Sequence, residues 1–316
     1  MNKIYGEEYH GDSQFVAKCR KLQSIYRVDI GEKIRPYKSR DGQIRFYGNY
    51  INDGENPKIG CWKNFLTEYA FNYARERVNN KRIYETIDPD RLFNNLLSSQ
   101  PMAFNLFCSL KQMLEEAPQI TSKIIAKALP YYDIHTVTDI DLEFIPENFK
   151  DLTGDKSAMD AIIRFEDCIG TKGFIAIETK YSEKLGTNIA SKREKSIDAI
   201  KKLQCFKPDV EERINCGEIR LTQIYRNFLL SEMYGLTEKH KSYSIILAPQ
   251  MHPSTEKELK SLLNELRQEY KKKIRNVHLE DFVNVIIRNS PDKYRNVFER
   301  FYDRYLNFDK LKLIGK

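Results

Sequence analysis

The chain has 316 residues, 41% of them hydrophobic and 31% charged. That is enough apolar material for a large packed core, while no apolar run approaches the roughly 18 residues of a membrane-spanning helix. The formal net charge is +7, and Met1 is followed by no apolar stretch of the kind a signal peptide carries, so a soluble cytoplasmic protein is expected.

Residues 1–61 are polar, aromatic and turn-rich and read as an N-terminal extension, with a hairpin where Asp41-Gly42 precedes Ile44-Arg45-Phe46-Tyr47. From Trp62 onward, Phe65, Leu66, Tyr69, Ala70, Tyr73 and Ala74 recur at helical spacing. Asp88-Pro89 opens a helix that Ser98-Ser99-Gln100-Pro101 breaks. The pattern predicts helix again over 102–114, capped by Ser99, and an amphipathic helix over 119–129. The texture then changes to strands at 136–144, 158–165 and 173–179, the last two forming a hairpin around Glu166 to Gly170. Helices around 192–204 and 218–234 follow, then a buried strand over 242–248 that Pro249 ends. A long charged helix over 254–273, a short strand at 276–279 and two terminal helices complete the chain. The order predicts an α/β core over 62–250, with a mostly helical, basic region over 251–316 packed on it.

Charge and spacing point to chemistry within that core. Residues 141–180 carry nine acids against five bases, whereas 251–316 carry fifteen bases against ten acids. An acidic patch inside a basic protein suits a cation site that faces a polyanion; a solvated charge mosaic is the plain alternative. The cysteines lack CxxC spacing and the histidines are scattered, so any metal would be held by oxygen ligands. In Gly173-Phe174-Ile175-Ala176-Ile177-Glu178-Thr179-Lys180, strand periodicity puts Glu178 and Lys180 on the face of Phe174 and Ala176. Asp160 interrupts another apolar run, and the hairpin would bring it next to Glu178. Two such carboxylates repel unless a cation or a proton lies between them, and Mg²⁺ takes one or two carboxylates plus waters and phosphate. Taken singly, each of the three residues is also explained by a buried acid–lysine ion pair at a strand end.

Asp160…Glu178-Thr179-Lys180, in this order of elements, resembles the PD-(D/E)xK nuclease superfamily. The stretches Leu97-Ser98-Ser99-Gln100-Pro101-Met102-Ala103-Phe104-Asn105-Leu106-Phe107 and Leu221-Thr222-Gln223-Ile224-Tyr225-Arg226-Asn227 are similar to a bacterial restriction-endonuclease-like family within it. The resemblance covers about 62–250 and implies an α-β-β-β-α-β core, a mixed central sheet flanked by helices. It implies a Mg²⁺-dependent DNA endonuclease, with Mn²⁺ able to substitute, in a restriction or defence setting. Asp160, Glu178, the Thr179 carbonyl and the first-helix acid Glu68 would be metal ligands. Lys180 would orient or deprotonate the attacking water, and Gln223 would support the site. The sequence departs from the family's patterns at Met159, where Pro is usual, and at Asn227, where Q-x-x-x-Y would place Tyr. Glu143 and Glu183 are further nearby acids. Lys184, Lys192, Arg193 and Lys195 are placed for a DNA backbone, whereas Lys271-Lys272-Lys273 reads as a solvent-facing run. A catalytically silent nucleic-acid-binding protein and an RNA-processing nuclease are the rival readings. A homodimer would supply two sites for double-strand cutting, although a monomeric nicking enzyme is equally allowed.

Overall fold

A computed structural model describes residues 3–314 apart from 40, 52–62, 86, 187–188 and 190–192, so Trp62 and Lys192 lie outside the described residues. In chain order the elements are α1 (Gln14–Asp29), β1 (Tyr37–Lys38), β2 (Ile44–Arg45), α2 (Glu68–Asn79), α3 (Pro89–Asn94), α4 (Ser99–Glu116) and α5 (Pro118–Ala128). Then come β3 (Thr136–Phe144), α6 (Phe149–Leu152), β4 (Met159–Glu166), β5 (Lys172–Thr179), α7 (Arg193–Leu203), α8 (Val210–Asn215), α9 (Gln223–Glu238) and β6 (Lys241–Ala248). The chain closes with α10 (Thr255–Glu265), β7 (Ile274–His278), α11 (Leu279–Asn289), α12 (Asp292–Tyr305) and α13 (Lys310–Ile314).

Among the described residues, β3-β4-β5-β6-β7 form one five-stranded sheet, antiparallel from β3 to β5 and parallel from β5 to β7. This is the mixed α/β sheet of a restriction-endonuclease-like fold. Period-two alternation divides the strand residues between two cores. Ile175, Ile177, Ile245 and Leu247 pack with α4, α5, α11 and α12, whereas Phe174, Ala176 and Ile246 pack with α7, α9 and α10. The parallel β5–β6 pair requires a crossover, and α7 to α9 supply it. Among the described residues, no helix is long and apolar enough to cross a membrane.

Several elements differ from the expectations; α6, α8 and a third terminal helix, α13, were not expected. The turn-rich N-terminus contains the 16-residue α1, capped by Ser13, whose hydroxyl accepts from Val16 N. Its buried face mixes Phe15, Cys19 and Leu22 with Gln23 and Arg27, which dilutes the apolar signal. The hairpin expected after Asp41-Gly42 is the β1–β2 pair, with Gly42 at φ +82. Ser98-Ser99-Gln100-Pro101 starts a helix: Ser98 caps α4, and Pro101 fits the first turn, where amide hydrogens have no helical partner. The helix expected over 254–273 ends at Glu265. Leu266 turns extended, 1% exposed, and bridges Phe206, so burial of one leucine outweighs helix continuation. Residues 268–273 form a short 3₁₀ turn, and Lys273 is not solvent-facing but pairs with buried Glu232.

Candidate active site

Asp160 lies near the start of β4 and Glu178 near the end of β5. Ala161 faces Ile177 in the antiparallel register, so the next position brings Asp160 and Glu178 opposite one another. Thr179 donates both its backbone N–H (2.7 Å) and its hydroxyl (2.8 Å) to Asp160 Oδ2. Among the described residues no donor reaches Oδ1, and the residue is only half-buried. Glu178 is 7% exposed, and its Oε1 pairs with Lys180 Nζ at 2.6 Å.

Helix α9 supplies the rest of the Glu178 environment. Gln223 and Asn227 stand one turn apart on one helix face. Gln223 Nε2 donates to Glu178 Oε1 (2.8 Å) and Asn227 Nδ2 to Oε2 (2.6 Å). Gln223 Oε1 in turn accepts from Gly186 N at 2.8 Å. A Cβ on Gly186 would come within 3.1 Å of that oxygen, so a larger residue would crowd the contact.

A third acid stands beside the pair. Glu143, near the end of β3, is 6% exposed and has φ 51, a left-handed conformation that costs a non-glycine residue about 1–3 kcal/mol. Gln100 Nε2 donates to its carboxylate (2.7 Å), and Arg77 Nη2 donates to its backbone carbonyl (3.0 Å).

The electrostatics follow from crowding acids around one ammonium. Burial, then Glu178 and Glu143, push the Asp160 carboxyl well above the usual range. Burial, opposed by the Gln100 hydrogen bond and reinforced by Glu178, raises Glu143 as well. Burial alone would lower Lys180, but Glu178 and Asp160 outweigh it and hold the ammonium at about 12. Among the described residues no three His, Cys, Asp or Glu side chains form a ready metal cage. A facing Asp–Glu pair with one free oxygen nevertheless fits a hard divalent cation, which takes one or two carboxylates and keeps waters.

Of the residues singled out in the sequence, Asp160, Glu178, Thr179, Lys180 and Gln223 come together. Glu68 does not. It is exposed on the first turn of α2, nine residues before Arg77, so it lies on the side of the helix opposite the contact with Glu143. Glu183 neighbours the cluster: its Oε1 accepts from Ser99 N (2.9 Å) and Arg91 Nη2 (3.1 Å). Arg193 and Lys195, expected near a DNA backbone, donate to the backbone carbonyls of Ile214 and Lys150. Asn227, Gln100 and Arg77 were not foreseen. Asn227 left a trace as the departure from Q-x-x-x-Y, and Gln100 lies within the Leu97 to Phe107 stretch that carries the resemblance.

Comparison with known proteins adds one finding. The family model of the PD-(D/E)XK nuclease superfamily matches residues 10–307. No curated protein and no solved structure matches the chain.

Proposed function

The chain belongs to the PD-(D/E)XK nuclease superfamily, and on that premise we propose that it is a metal-dependent DNA endonuclease that hydrolyses phosphodiester bonds at Asp160, Glu178 and Lys180. Nuclease chemistry with a divalent metal is general to the superfamily. The finer parts of the reading are the DNA substrate, Mg²⁺ with Mn²⁺ as a substitute, a homodimer for double-strand cutting, a cytoplasmic setting and a role in restriction or defence. The observation that carries it is the facing of Asp160 and Glu178 across β4 and β5, with Asp160 Oδ1 lacking a donor among the described residues.

Asp160 and Glu178, with the Thr179 carbonyl, would hold the metal, which when bound lowers the pKa of its water and neutralises charge at phosphorus. Gln223 and Asn227 fix both oxygens of Glu178, so its orientation is set before any ligand arrives. Lys180, held as an ammonium, can donate to the scissile phosphate and orient the attacking water. Without metal, Glu178 and Asp160 hold it as an ammonium, the form that orients water and offsets charge. Glu68 has no part in this arrangement.

One observation favours a second reading, a catalytically silent nucleic-acid-binding protein: both Glu178 oxygens already accept hydrogen bonds from the protein. The two readings separate on cleavage of supercoiled plasmid, linear duplex, single-stranded DNA and RNA in Mg²⁺, Mn²⁺ or EDTA. Wild type is compared with Asp160→Ala and Lys180→Ala. Metal-dependent DNA cutting lost in both variants supports the nuclease, and RNA cutting alone corrects the substrate. Binding without cutting supports the silent protein, and variants that cut like wild type refute the assigned site.

A further inference from the structure

Beside the candidate active site, two residues past Lys180, a polar pocket of about 310 Å³ opens between the N-terminal region and the loop that follows β5. Its walls include Arg20, Asn49, Tyr50, Arg91, Asn95 and Glu183. Its volume falls at the lower end of the range for small-ligand sites.

The pocket is fixed in place and electrically balanced. Arg20 binds Asp12 through two nitrogens, at 2.6 and 3.0 Å, and donates to Asn49 Oδ1. Asn49 Nδ2 donates to Asn95 Oδ1 at 2.8 Å. Arg91 is paired with Glu183. Each guanidinium therefore has its own carboxylate, and no uncompensated charge is left to draw a phosphate.

The unused hydrogen-bonding capacity leans toward donors, although the Tyr50 and Ser182 hydroxyls can also accept. Asn95 Oδ1 accepts from Asn49 Nδ2 and from Leu97 N (3.1 Å); the backbone contact orients the amide and leaves its NH₂ unused among the described residues. The Tyr50 hydroxyl has no partner among the described residues, and its ring is stacked on Tyr37 with centroids 4.7 Å apart. Arg91 engages its acceptors through Nη2 alone. The Glu183 acceptors are taken, Oε1 by Arg91 and Ser99 and Oε2 by Ser182 N. A surface richer in donors, with its charges already paired, favours a neutral ligand edge made of acceptors. Among the bases, guanine alone offers two adjacent acceptors, N7 and O6, on its major-groove edge.

We propose that this pocket reads a guanine next to the scissile phosphate, with the Arg91 and Asn95 N–H groups and the Tyr50 hydroxyl donating to N7 and O6. The proposal rests on the nuclease reading and deepens it from chemistry to base preference.

The test uses the full chain and a duplex library randomised around a central segment. Cut ends formed in Mg²⁺ are sequenced, and so are molecules retained on a filter in EDTA. Asn95→Asp keeps the acceptor that holds Asn49 and Leu97 while removing the amide donors, and Tyr50→Phe removes one hydroxyl; both spare the fold. Wild type is expected to enrich guanine at one position near the cut, and each variant to reduce that enrichment severalfold. Cutting with the same base profile in wild type and variants overturns the proposal. Where wild type cuts nothing, guanine bias among retained molecules that Asn95→Asp abolishes keeps the pocket and removes the nuclease reading; retention without base bias overturns the pocket.

Discussion

The substitution Asp160→Asn should make the metal-free protein more stable while abolishing cleavage. Directly opposed residues on antiparallel strands hold their Cβ atoms about 5 Å apart. At an effective dielectric near 20, two charges at such a distance repel by about 3 kcal/mol. The amide side chain would keep an oxygen to accept from Thr179 N and Oγ1, so those contacts survive. Loss of attraction to Lys180 and partial proton uptake by the wild-type carboxyl offset roughly half of the gain, leaving about 1–2 kcal/mol. For a chain of this size that is about 2–3 °C in Tm. The sign with pH follows from the raised carboxyl: the folded state holds its proton more tightly than the unfolded chain. Wild type therefore loses stability relative to the variant as pH rises from about 4, the ordinary aspartate value, toward the raised folded one. Thermal unfolding in EDTA should show the two proteins converging near pH 4 and the variant ahead at pH 8. Excess Mg²⁺ should close the gap by stabilising wild type alone. A variant less stable than wild type at pH 8 in EDTA, or a gap indifferent to pH, would refute the reasoning.

Other outcomes follow from the same contacts. Gln223→Ala and Asn227→Ala each remove one hydrogen bond that orients Glu178, and a Mg²⁺ titration of cleavage should move to higher metal by about 10–100-fold. Glu68→Ala should leave the cutting rate unchanged, because Glu68 is exposed and faces away from Glu143; a large loss would restore it as the first-helix acid. Arg304→Met strips donors from Gln23 Oε1 and Asn64 Oδ1 inside the core, and the unfolding free energy from urea titration should fall by about 3 kcal/mol at constant slope.

The strands were legible because their signal is local. Apolar runs bounded by turns, as in Gly173 to Thr179, survive almost unchanged as β5. The face of Glu178 was legible too: Phe174 and Ala176 pack on the α9 side, where Glu178 meets Gln223 and Asn227. What escaped depends on distant partners. Helix α1 turns Gln23 and Arg27 inward, where Gln23 bonds Tyr181 and Arg304, so no apolar stripe marks its buried face. The break after α10 depends on Phe206, some sixty residues earlier. Glu143 reads from the sequence only as a further acid near the site, because neither its left-handed backbone nor its contact with Gln100 has a sequence signature.

Those distant partners converge on the four residues that begin with Lys180. Its backbone N–H donates to Leu247 O (2.9 Å) in β6, and the buried Tyr181 hydroxyl accepts from Gln23 in α1 at 3.0 Å. The Ser182 hydroxyl donates to Leu97 O (3.2 Å), the Glu183 carboxylate caps α4 at Ser99 N, and its carbonyl meets His252 Nε2 at 3.0 Å. A buried ammonium beside two carboxylates gains from its neighbours only in a fixed geometry, since a small displacement leaves charge desolvated and unpaired. The β5–β6 ladder makes its last bond at Lys180 N, and contacts from α1, α4 and the loop after β6 hold the residues that follow. Helix α12 joins the same network through Arg304, which bonds Gln23 from inside the core. The segments outside the α-β-β-β-α-β core thus have a physical task, because they hold rigid the turn that presents Lys180 to the acids.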